Sequence, residues 1–491
     1  MKKLVKTLWR WSVRLVVTVV VIIATIMLVR AFDARRMPDL MSWHTTRFTE
    51  EFTAADVTPD TVYEDFLAAE QRAFKQLEET VVAQGRELAL PLLRYNPASR
   101  SWPNTFGRDW NRSFELVPDE TWGGVVLVHG LTDSPYSMRA VGELMRDHGL
   151  HVVAPRMPGH GLAPSGLLDA TWQDWLAVVR LAVEHLRATL GEDAPILLGG
   201  YSNGGALAVK YTLQALEDPT LVRPDQVYLF SPAIGITGFA TFASWHRVLA
   251  AIPYFEKYRW SDIQLEFDPY KYNSFPKIAG HQTFALSVDV NNHLQRLQAA
   301  GTIDQMPPII GFQSLADATV LTDSLVTRLF DRLTVQNSEL VLFDTNRYPV
   351  VRELVRPRFE RLLERILASP RRGYSLTVLT NEGLDSREVE ARTYLPGGAE
   401  VEGLATGLSW PDSVYSMSHV AIPFPLDDPI YGLRSHPEAF SLGDITPRGE
   451  RNALTVSVTQ FTRLRHNPFY PYMNDRIVDF LRPLEPAPAA P

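Results

Sequence analysis

"LLGGYSNGGALAVKY", residues 197–211, sets one hydroxyl, Ser202, between two pairs of glycines at the end of an apolar run. The residues before it, "PILLGG", read as a buried strand, and those after it, "GALAVKYTLQAL", have helical spacing. A chain that passes from strand to helix around one residue must turn so tightly that the neighbours can hardly carry side chains, which is a task for glycine. In Gly200-Tyr201-Ser202-Asn203-Gly204 this is the G-x-S-x-G pattern, in which a strained turn presents the serine as a nucleophile. The rival reading is a glycine-rich turn that merely contains a serine. The strand–turn–helix setting is what separates the two. "GYSLT", from Gly373, repeats three of the letters but lacks the second glycine and runs into a strand-like segment.

A serine hydroxyl needs a base, and the base an orienting carboxylate. Short apolar runs place both. "ELALPLL" and "SFELV" read as two leading strands, followed by "GGVVLVHG", "HVVAPR", "PILLGG", "QVYLFS", "PPIIGF" and "SELVLFD". Most are separated by helical patterns such as "WQDWLAVVRLAVEHL", and near-continuous Val/Ile/Leu runs with helices between them predict a parallel sheet covered on both faces. The expected fold class is therefore α/β, in three layers, with a mostly parallel eight-stranded sheet.

Just beyond the seventh strand, Asp317 in "QSLADATV" is the acid of the turn. A helix-capping aspartate is the alternative role. Asp304 precedes the strand and Asp323 lies well into the next helix, so both fit worse. Downstream of Asp317 only His419, His436 and His466 remain. His419, in the small-residue loop "YSMSHVAIPF", suits an imidazole reaching a buried serine. His436 and His466 sit in basic or proline-broken stretches typical of surface loops. Two backbone N–H groups, of Asn203 after the serine and of Leu131 in "LVHGLTDSPYSM", are expected to face a developing oxyanion. His129 and Gly130 then shape that loop, as His160 does in "PGHGLAPSG", while Gly200 and Gly204 make the turn.

These pieces together resemble the α/β-hydrolase superfamily, and within it the serine hydrolases grouped with monoacylglycerol lipases, lysophospholipases and serine aminopeptidase-like domains. The matching stretches are "VLVHGLTDSPYSM", "PRMPGHGLAPSG", "GGYSNGGALA", "SPAIG", "FQSLADATV" and "SMSHVAIPF", in the order Ser202, Asp317, His419. The resemblance implies a serine esterase that works through an acyl-enzyme, with no cofactor and no metal. It also implies a cap after the sixth strand, over about residues 232–300, where Phe239, Phe242, Trp245, Tyr254, Phe255, Tyr258 and Trp260 cluster. Those aromatics suit an acyl chain or the packing of the cap itself. Lipid esters such as a monoacylglycerol or lysophospholipid are the favoured substrate. An amide or peptide hydrolase with the same residues, or an inactive membrane-tethered binding module, are the alternatives. An insertion over about 346–412, with a helix in "RPRFERLLERILA" and a strand in "YSLTVLT", makes the Asp-to-His interval far longer than the resemblance leads one to expect.

The remainder of the 491 residues bounds the setting. A net charge of −8 without a basic stripe beyond the N-terminus argues against nucleic acid as a partner. There is no cysteine, which excludes disulfides and thiolate metal sites. Residues 1–31 read as a transmembrane signal anchor: from Trp11 to Val29 an apolar helix would rise about 28 Å, close to the thickness of a hydrocarbon core. Lys2, Lys3, Lys6, Arg10 and Arg14 outnumber Arg30, Arg35 and Arg36, which predicts an inside N-terminus with the body outside, on the periplasmic face if the source is a Gram-negative bacterium. A cleaved signal peptide is the alternative, with Val29-Arg30-Ala31 a poor cleavage site. Residues 32–85 are expected to link anchor to body, with a helix started by Thr58-Pro59 that carries Tyr63, Phe66, Leu67, Phe74, Leu77 and Val81 on one face. The hydrolase domain is expected over 86–485, and "PAPAAP", 486–491, as a disordered tail.

Overall fold

The computed structural model describes residues 2–236, 253–334, 337–353, 355–369, 373–401, 403–433, 441–443 and 462–486. Its core is a ten-stranded sheet. In chain order the strands are β1 (Phe114–Leu116), β2 (Gly123–Val128), β3 (Leu150–Ala154), β4 (Ile196–Tyr201) and β5 (Gln226–Phe230), a small cap hairpin β6 (Trp260–Asp262) and β7 (Phe275–Pro276), then β8 (Ile309–Ser314), β9 (Glu339–Phe343), β10 (Ser375–Asn381), β11 (Glu388–Tyr394) and β12 (Leu404–Ser409). The main sheet runs β1-β3-β2-β4-β5-β8-β9-β10-β11-β12, parallel from β3 to β10 and antiparallel at both edges.

Strands β2, β3, β4, β5, β8 and β9 are buried at every position, because helices cover both faces. On one face Trp175, Val179, Leu207, Leu286 and Val290, from the helices Trp172–Leu190, Asn203–Glu217 and Lys277–Ala300, pack with Val126, Leu198 and Leu229. On the other, Val141, Met145, Met473 and Ile477, from the helices Arg139–Asp147 and Tyr470–Leu481, pack with Val125, Leu127 and Tyr228. The result is three layers, as expected.

Three local expectations fail. "ELALPLL" is no strand: Ala83–Leu88 is the end of a helical stretch, closed by Ala89 at φ 50°, and the segment then turns. Its alternating leucines come from a helix end followed by turns, where Pro91 cannot donate to a ladder. The helix expected from Thr58-Pro59 begins instead at Tyr63, because Thr58 and Thr61 close a turn on each other, the Thr58 N–H donating to Thr61 Oγ1 at 2.9 Å. The third concerns strand count. Beyond β9 the insertion lengthens the expected eight-stranded sheet: its helix Arg358–Leu367 crosses over to β10, which pairs in parallel with β9, and a meander through β11 and β12 extends the sheet to ten strands.

Residues 43–82 pack on the main body. Phe52, Tyr63 and Phe66 join the core beside Trp175, and Arg156, fully buried, is held by Glu51 at 2.7 Å and Glu70 at 3.1 Å. A buried guanidinium between two carboxylates is tolerated because its hydrogen bonds are made.

The first helix, Lys2–Arg36, is long and apolar enough to cross a membrane, and its apolar side chains from Leu8 to Val29 are largely exposed. Its C-terminal end packs on the cap: Met27, Ala31, Ala34 and Met37 meet Phe255 and Tyr258, and Lys257 pairs with Asp39 at 2.8 Å. Phe239, Phe242 and Trp245 lie outside the described residues.

Candidate active site

Ser202 stands between the end of β4 and the helix Asn203–Glu217, with φ 55° and ψ −115°. An L-residue rarely adopts that conformation, and here the surroundings impose it. The Ser202 N–H donates to Phe230 O at 2.9 Å, and its carbonyl accepts from Ala233 N at 2.8 Å and Ala206 N at 3.2 Å. The flanking glycines are required by close approach. A Cβ on Gly200 would lie 2.3 Å from the Gly204 carbonyl, and one on Gly204 would lie 2.0 Å from Val128 O. Strand, turn and helix pass too near each other for side chains. At "GYSLT", by contrast, Ser375 simply opens β10.

The other two predicted side chains converge on this hydroxyl. His419 Nδ1–H donates to Asp317 Oδ2 at 2.9 Å, which leaves Nε2 to accept from Ser202 Oγ–H at 3.0 Å. Asp317 follows β8 and is nearly inaccessible. Its Oδ1 accepts from Thr319 N at 2.8 Å and Val320 N at 3.0 Å, and its Oδ2 also accepts from Gln313 Nε2 at 3.1 Å. Burial pushes the carboxyl up, but the His419 imidazole and the two N–H groups outweigh it and hold the pKa below the usual value. Tyr201 lies against the His419 ring, centroids 5.2 Å apart. Such an array can draw a proton from the serine and hold the resulting imidazolium.

The rejected acids are elsewhere: Asp323 pairs with Arg365 at 2.8 Å, and Asp304 accepts from Thr334. His436 lies outside the described residues. His466, expected on a surface loop, is buried, with Nδ1 at 3.3 Å from Tyr431 O. Flanking basic residues and a proline misled there, because the following Asn467 and Phe469 are themselves core residues.

The loop after β2 is built by His129. Its Nδ1–H donates to Gly130 O at 2.9 Å while Nε2 accepts from Met157 N at 2.9 Å, so the ring is neutral and ties the loop to the turn after β3. Burial, with help from His160 and Arg156, keeps its pKa well below the usual value. His160 stacks edge-on against His129, and burial lowers its pKa to about 3. Among the described residues, the N–H groups of Leu131 and Asn203 donate to no protein acceptor. The loop has a further brace that its sequence did not announce. Thr132 sits at φ 64° with its carbonyl accepting from Tyr272 N at 2.8 Å, and buried Asp133 is held by Lys271 at 3.1 Å. Lys271 carries no local signal because its role depends on a contact across 138 positions, and Gln313 reads as one more residue of β8 although it bonds Asp317 four positions on.

A family model described as the alpha/beta hydrolase family matches residues 125–383, more than half of the chain. The chain belongs to the alpha/beta hydrolase family. Among curated relatives, this hydrolase is 34% identical over 117 residues to the thermostable monoacylglycerol lipase of Bacillus sp. (strain H-257), a match that covers 23% of the chain and 45% of the lipase. The match thus spans less than half of that relative's length. Similar solved structures include one from the metagenome-derived lipolytic enzymes LipS and LipT, at 23% identity and TM-score 0.37, covering 52% of this hydrolase and 97% of that chain. Another is the monoacylglycerol lipase of Paleococcus ferrophilus, at 19% identity and TM-score 0.36, covering 47% and 88%.

Proposed function

We propose that this hydrolase cleaves carboxylic esters through an acyl-enzyme on Ser202. The reading is carried by the unbroken hydrogen-bond chain from Ser202 through His419 to Asp317. Ser202 Oγ attacks the ester carbonyl as His419 Nε2 takes its proton, and Asp317 keeps the imidazole oriented and stabilises its charged form. The carbonyl oxygen becomes an oxyanion facing the N–H groups of Leu131 and Asn203, the second at a helix N-terminus where negative charge is favoured. His419 then protonates the leaving alkoxide. Water repeats the sequence on the acyl-enzyme and restores the serine.

The favoured substrates are lipid esters such as monoacylglycerols or lysophospholipids. Support comes from the named activity of the partial relative and from the apolar first helix. In this reading that helix is an uncleaved membrane anchor with its N-terminus inside. Its docking on Phe255 and Tyr258 favours retention, since cleavage at Ala31 would cut through the contact.

The test is labelling of the full chain with a fluorophosphonate, followed by hydrolysis of p-nitrophenyl esters of rising chain length and of aminoacyl anilides. Labelling abolished in Ser202→Ala, with esters of medium or long chain preferred, is expected. A well-folded chain that takes no label would overturn the enzymatic reading, and a preference for anilides would overturn the ester reading.

A further inference from the structure

On the reading of the first helix as a membrane anchor, we propose that the turn of residues 88–92 enters the same lipid surface and seats the Ser202 end of the sheet against it. The turn lies in "ELALPLL", a stretch that resembles a strand in sequence and forms none. Leu88, Leu90 and Leu92 are 39%, 37% and 44% exposed, and Ala89 and Pro91 between them are exposed as well. Exposed apolar residues scattered singly need no explanation, but five in succession form a patch that calls for a cover.

The turn is fixed by its own hydrogen bonds. Leu90 O accepts from Leu93 N at 3.2 Å and Asn96 Nδ2 at 3.1 Å, and Pro91 O accepts from Ser99 Oγ at 2.9 Å and Arg100 N at 3.2 Å. Ala89 N donates to Gly85 O at 3.2 Å and closes the helix before it, while Pro91 has no N–H to satisfy. Backbone groups already paired lose less on leaving water, which suits a turn that enters a lipid surface. Arg86 pairs with Glu78, and Glu87 and Arg100, both exposed, flank the turn with opposite charges. The attraction is therefore apolar burial rather than net charge.

The turn's place in the fold decides its partner. Leu93, next to it, is buried among Trp43, Leu77, Leu162 and Ala163, and Met41 packs on the same cluster. Leu162 and Ala163 follow β3, at the end of the parallel strands that carries Ser202. In the cap hairpin, Glu266 O accepts from Arg94 N at 2.9 Å and Gln264 O from Trp43 Nε1 at 3.4 Å. Met41 lies five positions after Arg36, the last residue of the first helix, a reach of at most about 18 Å. Met27 and Ala31 of that helix meet Phe255 and Tyr258, so its apolar span ends where the cap begins. Helix end, cap and leucine turn are thus one continuous side of the body, and the bilayer that the helix would cross is the apolar phase beside it.

The chain has no cysteine, so one introduced at a chosen position takes a nitrobenzoxadiazole label there alone. Full-length Leu90→Cys, Val117→Cys and Val20→Cys proteins are placed in phosphatidylcholine nanodiscs. Lipid bearing a nitroxide at the headgroup is added for positions 90 and 117, and on the acyl chain for position 20, within the apolar span. Val117, 61% exposed, follows β1 toward the start of β3, at the opposite end of the sheet. Emission from position 90 should shift to the blue and fall about twofold or more with nitroxide lipid, while position 117 shows neither change. Quenching at 20 without quenching at 90 would overturn the lipid contact of the turn and leave the anchor standing. No quenching at 20 would overturn the anchor reading, and this proposal with it. Equal quenching at 90 and 117 would mean that the dye seeks lipid, and would overturn the role of the leucines. A blue shift at 90 without quenching would mean that a second copy of the chain covers the turn, and would overturn the lipid partner. None of these measurements needs turnover, so they stand apart from the ester reading.

Discussion

Asn346 donates its side-chain amide to the carbonyl of Val414, 68 positions further along the chain, at 2.9 Å. Its backbone N–H donates to Tyr415 O at 2.9 Å, and Thr345 bridges to Ser416. The insertion therefore leaves and rejoins the sheet at one point, and Ser314 Oγ, donating to Met417 O at 2.9 Å, fastens the returning chain beside β8. That is how His419 reaches Asp317 across 102 positions. Asn346→Ala should lower kcat for ester hydrolysis at least tenfold with KM little changed, and cost about 1–3 kcal/mol of stability because the Val414 carbonyl loses its donor and the Tyr348 N–H loses its acceptor. Steady-state kinetics beside urea unfolding separates the two effects. An unchanged kcat would mean that His419 is positioned without this clasp.

Much of this was legible in the chain because the decisive signals are local. Gly200, Gly204 and the apolar runs on either side are dictated by close backbone approach and by burial on two faces, and both leave patterns within a few residues. The failures share the opposite property. "ELALPLL" has the alternation of a strand, but among the described residues no strand pairs with it. His466 has basic neighbours typical of a surface, although it is buried with Nδ1 3.3 Å from the carbonyl of Tyr431, 35 positions away. The extension of the sheet by β10 to β12 depends on which edge of β9 was open, a fact of three-dimensional arrangement.

The backbone at Ser202 is strained for the sake of its side chain. Replacing it with glycine, which adopts φ 55° without penalty, should raise thermal stability by about 1 kcal/mol while abolishing fluorophosphonate labelling. Ser202→Ala, which keeps the Cβ, should lose labelling without that gain. Differential scanning calorimetry of the three proteins checks the order, and equal midpoints for the glycine and alanine variants would remove strain from the account.

Glu115, His185 and Glu64 join β1 to two helices, and they make stability depend on pH. Glu115 accepts from His151 at 2.9 Å and His185 at 3.3 Å, which lowers its pKa to about 2. Hydrogen bonding to Glu115, against a smaller effect of burial, raises the His185 pKa above its usual value. A depressed carboxyl contributes stability above its unfolded pKa, near 4.5, and loses it as pH falls toward 2. A raised imidazole contributes fully below about 6.5 and loses it as pH rises through the folded value. The cluster is thus most stabilising between about pH 4.5 and 6.5. Glu115→Gln should lower the thermal midpoint more at pH 5.5 than at pH 9, by an amount within about 1 kcal/mol because the groups are partly exposed. A pH-independent difference would exclude the ionised pair.

The brace between Lys271 and Asp133 sets the shape of the loop that carries the Leu131 N–H. Asp133 is buried, which pushes its carboxyl up, while Lys271, bonded to both oxygens at 3.1 and 3.2 Å, counters that rise. Lys271→Met leaves a buried carboxyl without its partner, a change that costs about 3 kcal/mol where the pair is well buried. With the loop free to shift, an oxyanion donor is misaligned in the transition state but not in the bound substrate. The expected result is therefore a fall in kcat of about 10²-fold with a smaller change in KM. Combining Lys271→Met with Asp133→Asn removes the stranded charge and should recover most of the stability, but only part of kcat. Kinetics and urea midpoints of the single and double variants test this. If the single variant keeps wild-type kcat, the brace is structural alone, and the loop holds its geometry through His129 and Tyr272.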